Sequence, residues 1–201
     1  MLLTTAAHAQ QRPNILLIMA EDMSARVGAF GDEVAVTPNL DRLARTSIRY
    51  PNTFTTAGVC APSRAAHILA VHQMSVGAQH MRTRSFKESP YRSVPPAHIK
   101  AYPELLRRQG YYTFTSSKLD YQFSNTSAGS GPFSIWDYEG AKPTWQGRAD
   151  GQPFFGFVTL TETHEQQMFP RKVAMNNAKG SRSEVVHVDQ VLVPPYYPDH
   201  D

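Results

Sequence analysis

The stretch Asn14 to Ala20 reads NILLIMA, a nearly unbroken apolar run closed in front by Pro13 and behind by Glu21-Asp22. A run of that length suits a strand buried on both faces, as in a parallel sheet covered by helices. A second such run, Phe154 to Thr161 (FFGFVTLT), lies far downstream, and Tyr111 to Ser116 has strand composition between them. Helical signals alternate with these strands. Thr37 is placed to cap a helix whose first turn takes Pro38, with Leu40, Leu43 and Ala44 as its inner stripe. Ser63 to His72 has helix-forming composition behind Pro62, and Tyr102 to Gln109 forms a further helix that Gly110 closes. Ile48 to Phe54 reads as a short returning strand. Strands alternating with helices predict an α/β fold with a mostly parallel sheet.

Less regular stretches complete the chain. Tyr121 to Asp150 is rich in Ser, Gly, Pro and Asn and reads as a long surface excursion pinned by Trp136 and Trp145. Arg171 to Arg182 is polar and basic and reads as solvated loop. Val191 to Pro198 (VLVPPYYP) carries apolar residues with nothing after them to pack on, which reads as a cut chain. Residues 1–11 read as the remnant of a signal peptide or a disordered leader, since Ala7-His8-Ala9 has the small-x-small form of a cleavage site. That makes the expected location periplasmic or secreted.

Composition narrows the function classes. The 201 residues hold 41% hydrophobic and 18% charged side chains, enough for a real core. No segment approaches the ~20 apolar residues of a membrane span. A net charge of +3 is too small to imply nucleic-acid binding. One cysteine supports neither a disulfide framework nor a thiolate zinc cage.

In open α/β sheets ligands gather at the carboxyl ends of strands. Three strands here end in useful chemistry. The first ends in Glu21-Asp22, paired hard-oxygen ligands for Ca²⁺ or Mg²⁺. The last ends in Thr161-Glu162-Thr163-His164-Glu165, and the middle one near Ser116-Ser117-Lys118. Each alone has an ordinary reading as a solvated turn or a locally bonded side chain. Val59 to Arg64 (VCAPSR) is sharper. Cys60 precedes a helix-starting Pro and so sits near a positive helix end, which favours anions and depresses a thiol pKa. Arg64, one turn in, can reach back toward an anion. On composition alone Cys60 is either a reactive thiol or a small buried hydrophobe.

Cys60-Ala61-Pro62-Ser63-Arg64 matches the C-x-P-S-R motif, and the chain thereby resembles the type I sulfatases, nearest their N-sulfoglucosamine sulfohydrolase-like branch. Arg12-Pro13-Asn14-Ile15-Leu16 to Asp22, Thr37-Pro38-Asn39-Leu40-Asp41-Arg42-Leu43-Ala44, Gly110-Tyr111-Tyr112-Thr113 to Lys118, and Thr161 to Glu165 follow that family's pattern in order. The resemblance implies an alkaline-phosphatase-like α/β/α sandwich, with residues 12–201 as the N-terminal portion of its catalytic domain, incomplete at the C-terminus. It implies that a maturation enzyme converts Cys60 to formylglycine, whose hydrate attacks sulfur. It implies Glu21, Asp22 and the modified Cys60 as ligands of Ca²⁺, with Mg²⁺ the lesser option. Arg64 would stabilise the hydrate, and Lys118 and His164 would bind sulfate, His164 also protonating the leaving group. The implied substrate is a sulfated saccharide.

Departures from the pattern qualify the expectation. Glu21 stands where the family commonly has Asp. The family's Thr-Gly after the motif helix is absent from Ala65 to Val71, and Asp120 replaces a family His. The second calcium pair and a second sulfate-binding Lys have no counterpart, so the chain by itself is expected to be inactive or nearly so. The rival readings are a phosphonate monoester or phosphodiester hydrolase of the same superfamily, a non-catalytic carbohydrate-binding relative, and a truncated product with no independent fold.

Overall fold

The computed structural model describes residues 12–81, 88, 91–116, 118–123, 135–178, 188–195 and 197–198. The leader reading of residues 1–11 therefore lies outside the described residues. Among the described residues four strands and four α-helices succeed one another: β1 (Ile15–Ala20), α1 (Pro38–Ala44), α2 (Cys60–Leu69), α3 (Tyr102–Arg108), β2 (Tyr112–Thr115), β3 (Tyr138–Glu139), β4 (Phe154–Leu160) and α4 (Pro170–Ala178). They fall into two compact units. One takes Thr55–Leu160 together with the stretch up to Met19; the other takes Ala20–Phe54 and the residues from Thr161 onward.

The first unit is built on the sheet, in the order β1-β4-β2-β3. β2 pairs in parallel with both β3 and β4, with Phe114 opposite Tyr138 on one side and opposite Gly156 on the other. The Phe154 N–H donates to Asn14 Oδ1 at 3.1 Å, so β4 and β1 start side by side. The core gathers Ala65, Ile68 and Leu69 of α2, Phe155 and Phe157 of β4, and Leu119, Tyr121 and Trp136 from the loops. Trp136, 2% exposed, lies flat on Phe155 at 5.7 Å and 13°. Trp145 stacks on Phe154 at 5.6 Å and 16° while remaining 48% exposed. Both tryptophans thus pin the excursion as expected, for the part of it that is described. α3 ends at Arg108 with Gly110 in the left-handed region at φ +83°, the position its lack of a Cβ suits.

In the second unit α1 is tied to the chain before it. Thr37 Oγ1 accepts from the Gly28 N–H at 2.9 Å and donates to Asp41 Oδ1 at 3.0 Å, and Asp41 Oδ1 also accepts from the Ala29 N–H at 2.8 Å. Thr37 flanks the helix without a side-chain cap bond, because its hydroxyl is already engaged there.

Several expectations need correction. β1 is not buried on both faces: it lies at the sheet edge, and Leu16 and Ile18 are 51% and 57% exposed. Leu40 and Leu43 are exposed, so α1 has no buried inner stripe. Ile48 to Phe54 forms no strand; it has no ladder to join, Pro51 removes one donor, and Phe54 is 89% exposed. α2 begins three residues earlier than expected, at Cys60, and ends at Leu69, where Ala70 turns left-handed at φ +53°. Residues 171–178 are helical, not loop: Pro170 occupies the first helical position, which its fixed φ favours.

Candidate active site

Cys60 is the first residue of α2, and Pro62 falls in the same turn, where a missing N–H costs no helical bond. Val59 flanks this end in an extended conformation and offers no side-chain cap. The first N–H groups of this ten-residue helix thus have no side-chain cap at its positive end, a setting that favours negative charge. Cys60 is partly exposed and holds a free thiol.

Arg64 sits one turn further and is 3% exposed. Its Nε donates to the Leu119 carbonyl at 2.7 Å, and its Nη2 donates to the Lys118 carbonyl at 2.6 Å and to Thr159 Oγ1 at 3.2 Å. Its guanidinium also lies over the Phe157 and Tyr121 rings, at 5.3 and 5.8 Å. The expectation that Arg64 reaches back toward an anion is thus refined. Much of its donor capacity fastens the backbone at Lys118 to the motif helix. Burial pushes the neighbouring Tyr121 phenol up to about 12, so it stays neutral and tolerates the cation at close range. Past Lys118 the chain is unusual: Asp120 and Gln122 are both buried and both left-handed, at φ +56° and +60°. Such conformations cost energy in residues with a Cβ and persist only where surrounding contacts fix them.

The second unit holds the acids and the histidine. Glu21 is buried, and its carbonyl accepts a hydrogen bond from the Thr163 hydroxyl. Asp22 adopts φ +51°, and its Oδ2 accepts from the Glu165 N–H at 3.0 Å. His164 Nε2 lies 3.9 Å from the same oxygen. His164 Nδ1 accepts from the Gln166 N–H at 3.2 Å, so a neutral His164 carries its proton on Nε2. The strand-end residues Glu21, Asp22 and His164 are therefore brought together, and in the first unit Arg64, on the same helix as Cys60, joins the backbone at Lys118. Thr159 and Thr163 are contributors that sequence reasoning missed. Thr163 stood in the polar strand end from Thr161 to Glu165 without a role assigned to it, whereas Thr159, inside β4, carried no signal.

Two adjacent carboxylates on a turn fixed by Thr163 and Glu165 match the ligand preference of a hard divalent cation in kind. His67 stays outside this chemistry: its Nδ1 meets the Tyr102 hydroxyl at 3.3 Å, and its ring packs edge-on against Tyr102.

Comparison with known proteins decides the family. The sequence pattern of the sulfatases matches residues 13–200. The chain belongs to the sulfatase family. An ulvan-active sulfatase of Formosa agariphila is 43% identical over 163 residues, covering 79% of this chain and 26% of that protein. Human iduronate 2-sulfatase is 28% identical over 132 residues, covering 65% of this chain and 22% of the relative. The chain thus spans about a quarter of the length of these sulfatases. Among solved structures, BT4656 bound to its substrate D-glucosamine-2-N,6-O-disulfate superposes with a TM-score of 0.60 at 20% identity, over 83% of this chain and 38% of that one. A 2-O glycosaminoglycan sulfatase, BT1596, superposes at 0.56 and 18% identity, over 94% of this chain and 41% of that one. These likenesses and the parallel strands establish the alkaline-phosphatase-like α/β fold. No helix among the described residues is long and apolar enough to cross a membrane.

Proposed function

We propose that this chain carries the nucleophile-bearing part of a sulfatase active site that hydrolyses sulfate esters or sulfamates on a sulfated saccharide. The observation that carries this reading is the Cys60–Arg64 turn. The cysteine opens an uncapped helix end, and the arginine of the same motif is fastened to the backbone at Lys118. A buried structural thiol has no need of such a setting.

The roles follow from the residues. Cys60, converted to formylglycine by a maturation enzyme that reads Cys60, Pro62 and Arg64, supplies the nucleophile. Glu21 and Asp22 would hold Ca²⁺, with Mg²⁺ as the lesser option, and residue 60 would add a further oxygen. When bound, the cation lowers the pKa of a coordinated hydroxyl and polarises a sulfate oxygen. Arg64 keeps cationic charge beside the α2 end and positions Lys118. Lys118 binds a sulfate oxygen. His164, with its proton held on Nε2, donates to the leaving oxygen or nitrogen. Cations and dipoles crowd such a site because nucleophile and substrate are both anionic.

Residues 12–201 belong, on this reading, to a secreted or periplasmic sulfatase, and residues 1–11 to its leader. Glu21 and Asp22 supply few of the ~6–8 oxygens Ca²⁺ takes, so the 201-residue chain alone is expected to turn over poorly. The test compares 4-nitrophenyl sulfate with an aryl phosphonate, using the gene's complete polypeptide matured in cells. Faster sulfate cleavage, abolished by Cys60→Ala, supports the proposal. Equal rates in parent and variant, or a preference for the phosphonate, contradict it.

A further inference from the structure

A concave feature lies in the first unit, at the other end of β2 from Lys118. It is an open cleft of about 680 Å³ between α3 and the starts of β2 and β4, and Lys100, Glu104, Arg107, Arg108, Tyr112 and Asp137 shape its walls. That volume falls within the range of small-molecule sites. β2 runs from Tyr112 at the cleft to Thr115 near the Arg64 contacts, roughly 10 Å of strand. The cleft is therefore distinct from the candidate active site.

Its lining carries three cations, Lys100, Arg107 and Arg108, against two acids, Glu104 and Asp137. Both acids are engaged by the protein itself. Glu104 Oε2 accepts from the Ala101 N–H at 2.9 Å at the start of α3. Asp137 Oδ1 pairs with Arg107 Nε at 2.9 Å, and its Oδ2 accepts from the Thr113 N–H at 2.8 Å and the Thr113 hydroxyl at 3.1 Å. Among the described residues, neither Lys100 nor Arg108 has a carboxylate partner, and both are exposed. The cleft thus offers two cations without a carboxylate partner among the described residues, and Tyr112 lines it beside them. Burial, then Asp137, hold the Tyr112 phenol above its ordinary pKa, so it stays neutral.

We propose that this cleft binds an anionic saccharide through its sulfate or carboxylate groups, held by Lys100 and Arg108 beside Tyr112. The choice of a saccharide rests on the proposed function, under which the substrate chain can extend past the bond being cleaved. The presence of an anion site rests on the cleft alone. Guanidinium and ammonium groups are the usual partners of such oxyanions.

The test needs no turnover. The 201-residue chain carrying Cys60→Ala is titrated with a heparin-derived hexasaccharide, its desulfated counterpart and inorganic sulfate. Hydrogen exchange is followed in parallel. The expected result is binding of the sulfated hexasaccharide that weakens roughly tenfold or more in the Lys100→Gln/Arg108→Gln variant, with slowed exchange over residues 100–112. Both substitutions are at exposed positions and leave Glu104 and Asp137 their own bonds. Equal binding by parent and double variant overturns the proposal, as does equal binding of the desulfated sugar. Protection confined to residues 60–70 overturns it too. Because every sample carries Cys60→Ala and no turnover is read, these failures leave the sulfatase reading untouched, and a failure to modify Cys60 leaves the cleft untouched.

Discussion

Arg64 Nε lies 2.7 Å from the carbonyl oxygen of Leu119, a bond that joins the motif helix to a backbone 55 residues further along. The same guanidinium serves the Lys118 carbonyl and Thr159, so one buried side chain satisfies three acceptors. A planar fork can do this; a single ammonium cannot match the geometry. Arg64→Lys is therefore expected to lose about 3 kcal/mol of stability, since buried carbonyls are left unpaired. Urea unfolding measures it, and a variant as stable as the parent would remove the clamp from the account.

Gly156 sits across from Phe114 in the β2–β4 ladder, and a Cβ built there falls inside contact distance of the Phe114 ring. Phe114 is fully buried and has little room to turn. Gly156→Ala is expected to cost roughly 1–3 kcal/mol through this overpacking. Phe114→Leu in the same background should recover part of the loss, and a destabilisation untouched by that second change would place the strain elsewhere.

The two tryptophans of the excursion separate by burial. Trp136→Ala removes a ring enclosed against Phe155 and Phe157 and is expected to cost about 3–5 kcal/mol. Trp145→Ala uncovers one face of Phe154 at a half-open site, and about 1 kcal/mol is expected. Thermal unfolding of the two variants reverses or confirms that order.

His67 gives the chain a pH dependence. Burial against its neighbours, then the charge of Arg64, hold its imidazole below the ordinary value of 6.5. The unfolded chain therefore binds more protons than the folded one between the two values. Stability present above about pH 6.5 falls as the pH drops through the folded value. The ring is partly open to water, which keeps the effect small. His67→Gln should flatten the stability profile between pH 7 and 5; parallel profiles for parent and variant would exclude His67 as the cause.

Much of this was legible in the residues because local rules governed it. Gly110 closes α3, and FFGFVTL forms β4, through short-range backbone and packing preferences. The exposure of β1 was not legible, since strand order is set by pairing among distant segments and an apolar run reads alike at centre and edge. Residues 171–178 misled through their polarity, although Pro170 was a valid helix start. At the candidate site the motif residues were visible as chemistry. The bonds from Arg64 to Lys118 and Leu119 were not, because no periodicity encodes a contact across 54 or 55 positions.

Under the proposed function the thiol at position 60 is a precursor. Its most direct measurement is the mass of the peptide containing residue 60, taken from the chain expressed with and without a formylglycine-generating enzyme. Co-expression is expected to lower that mass by the difference between a CH₂SH and a CHO group, and Arg64→Ala to suppress the change. An unaltered, alkylatable Cys60 in both preparations would contradict it.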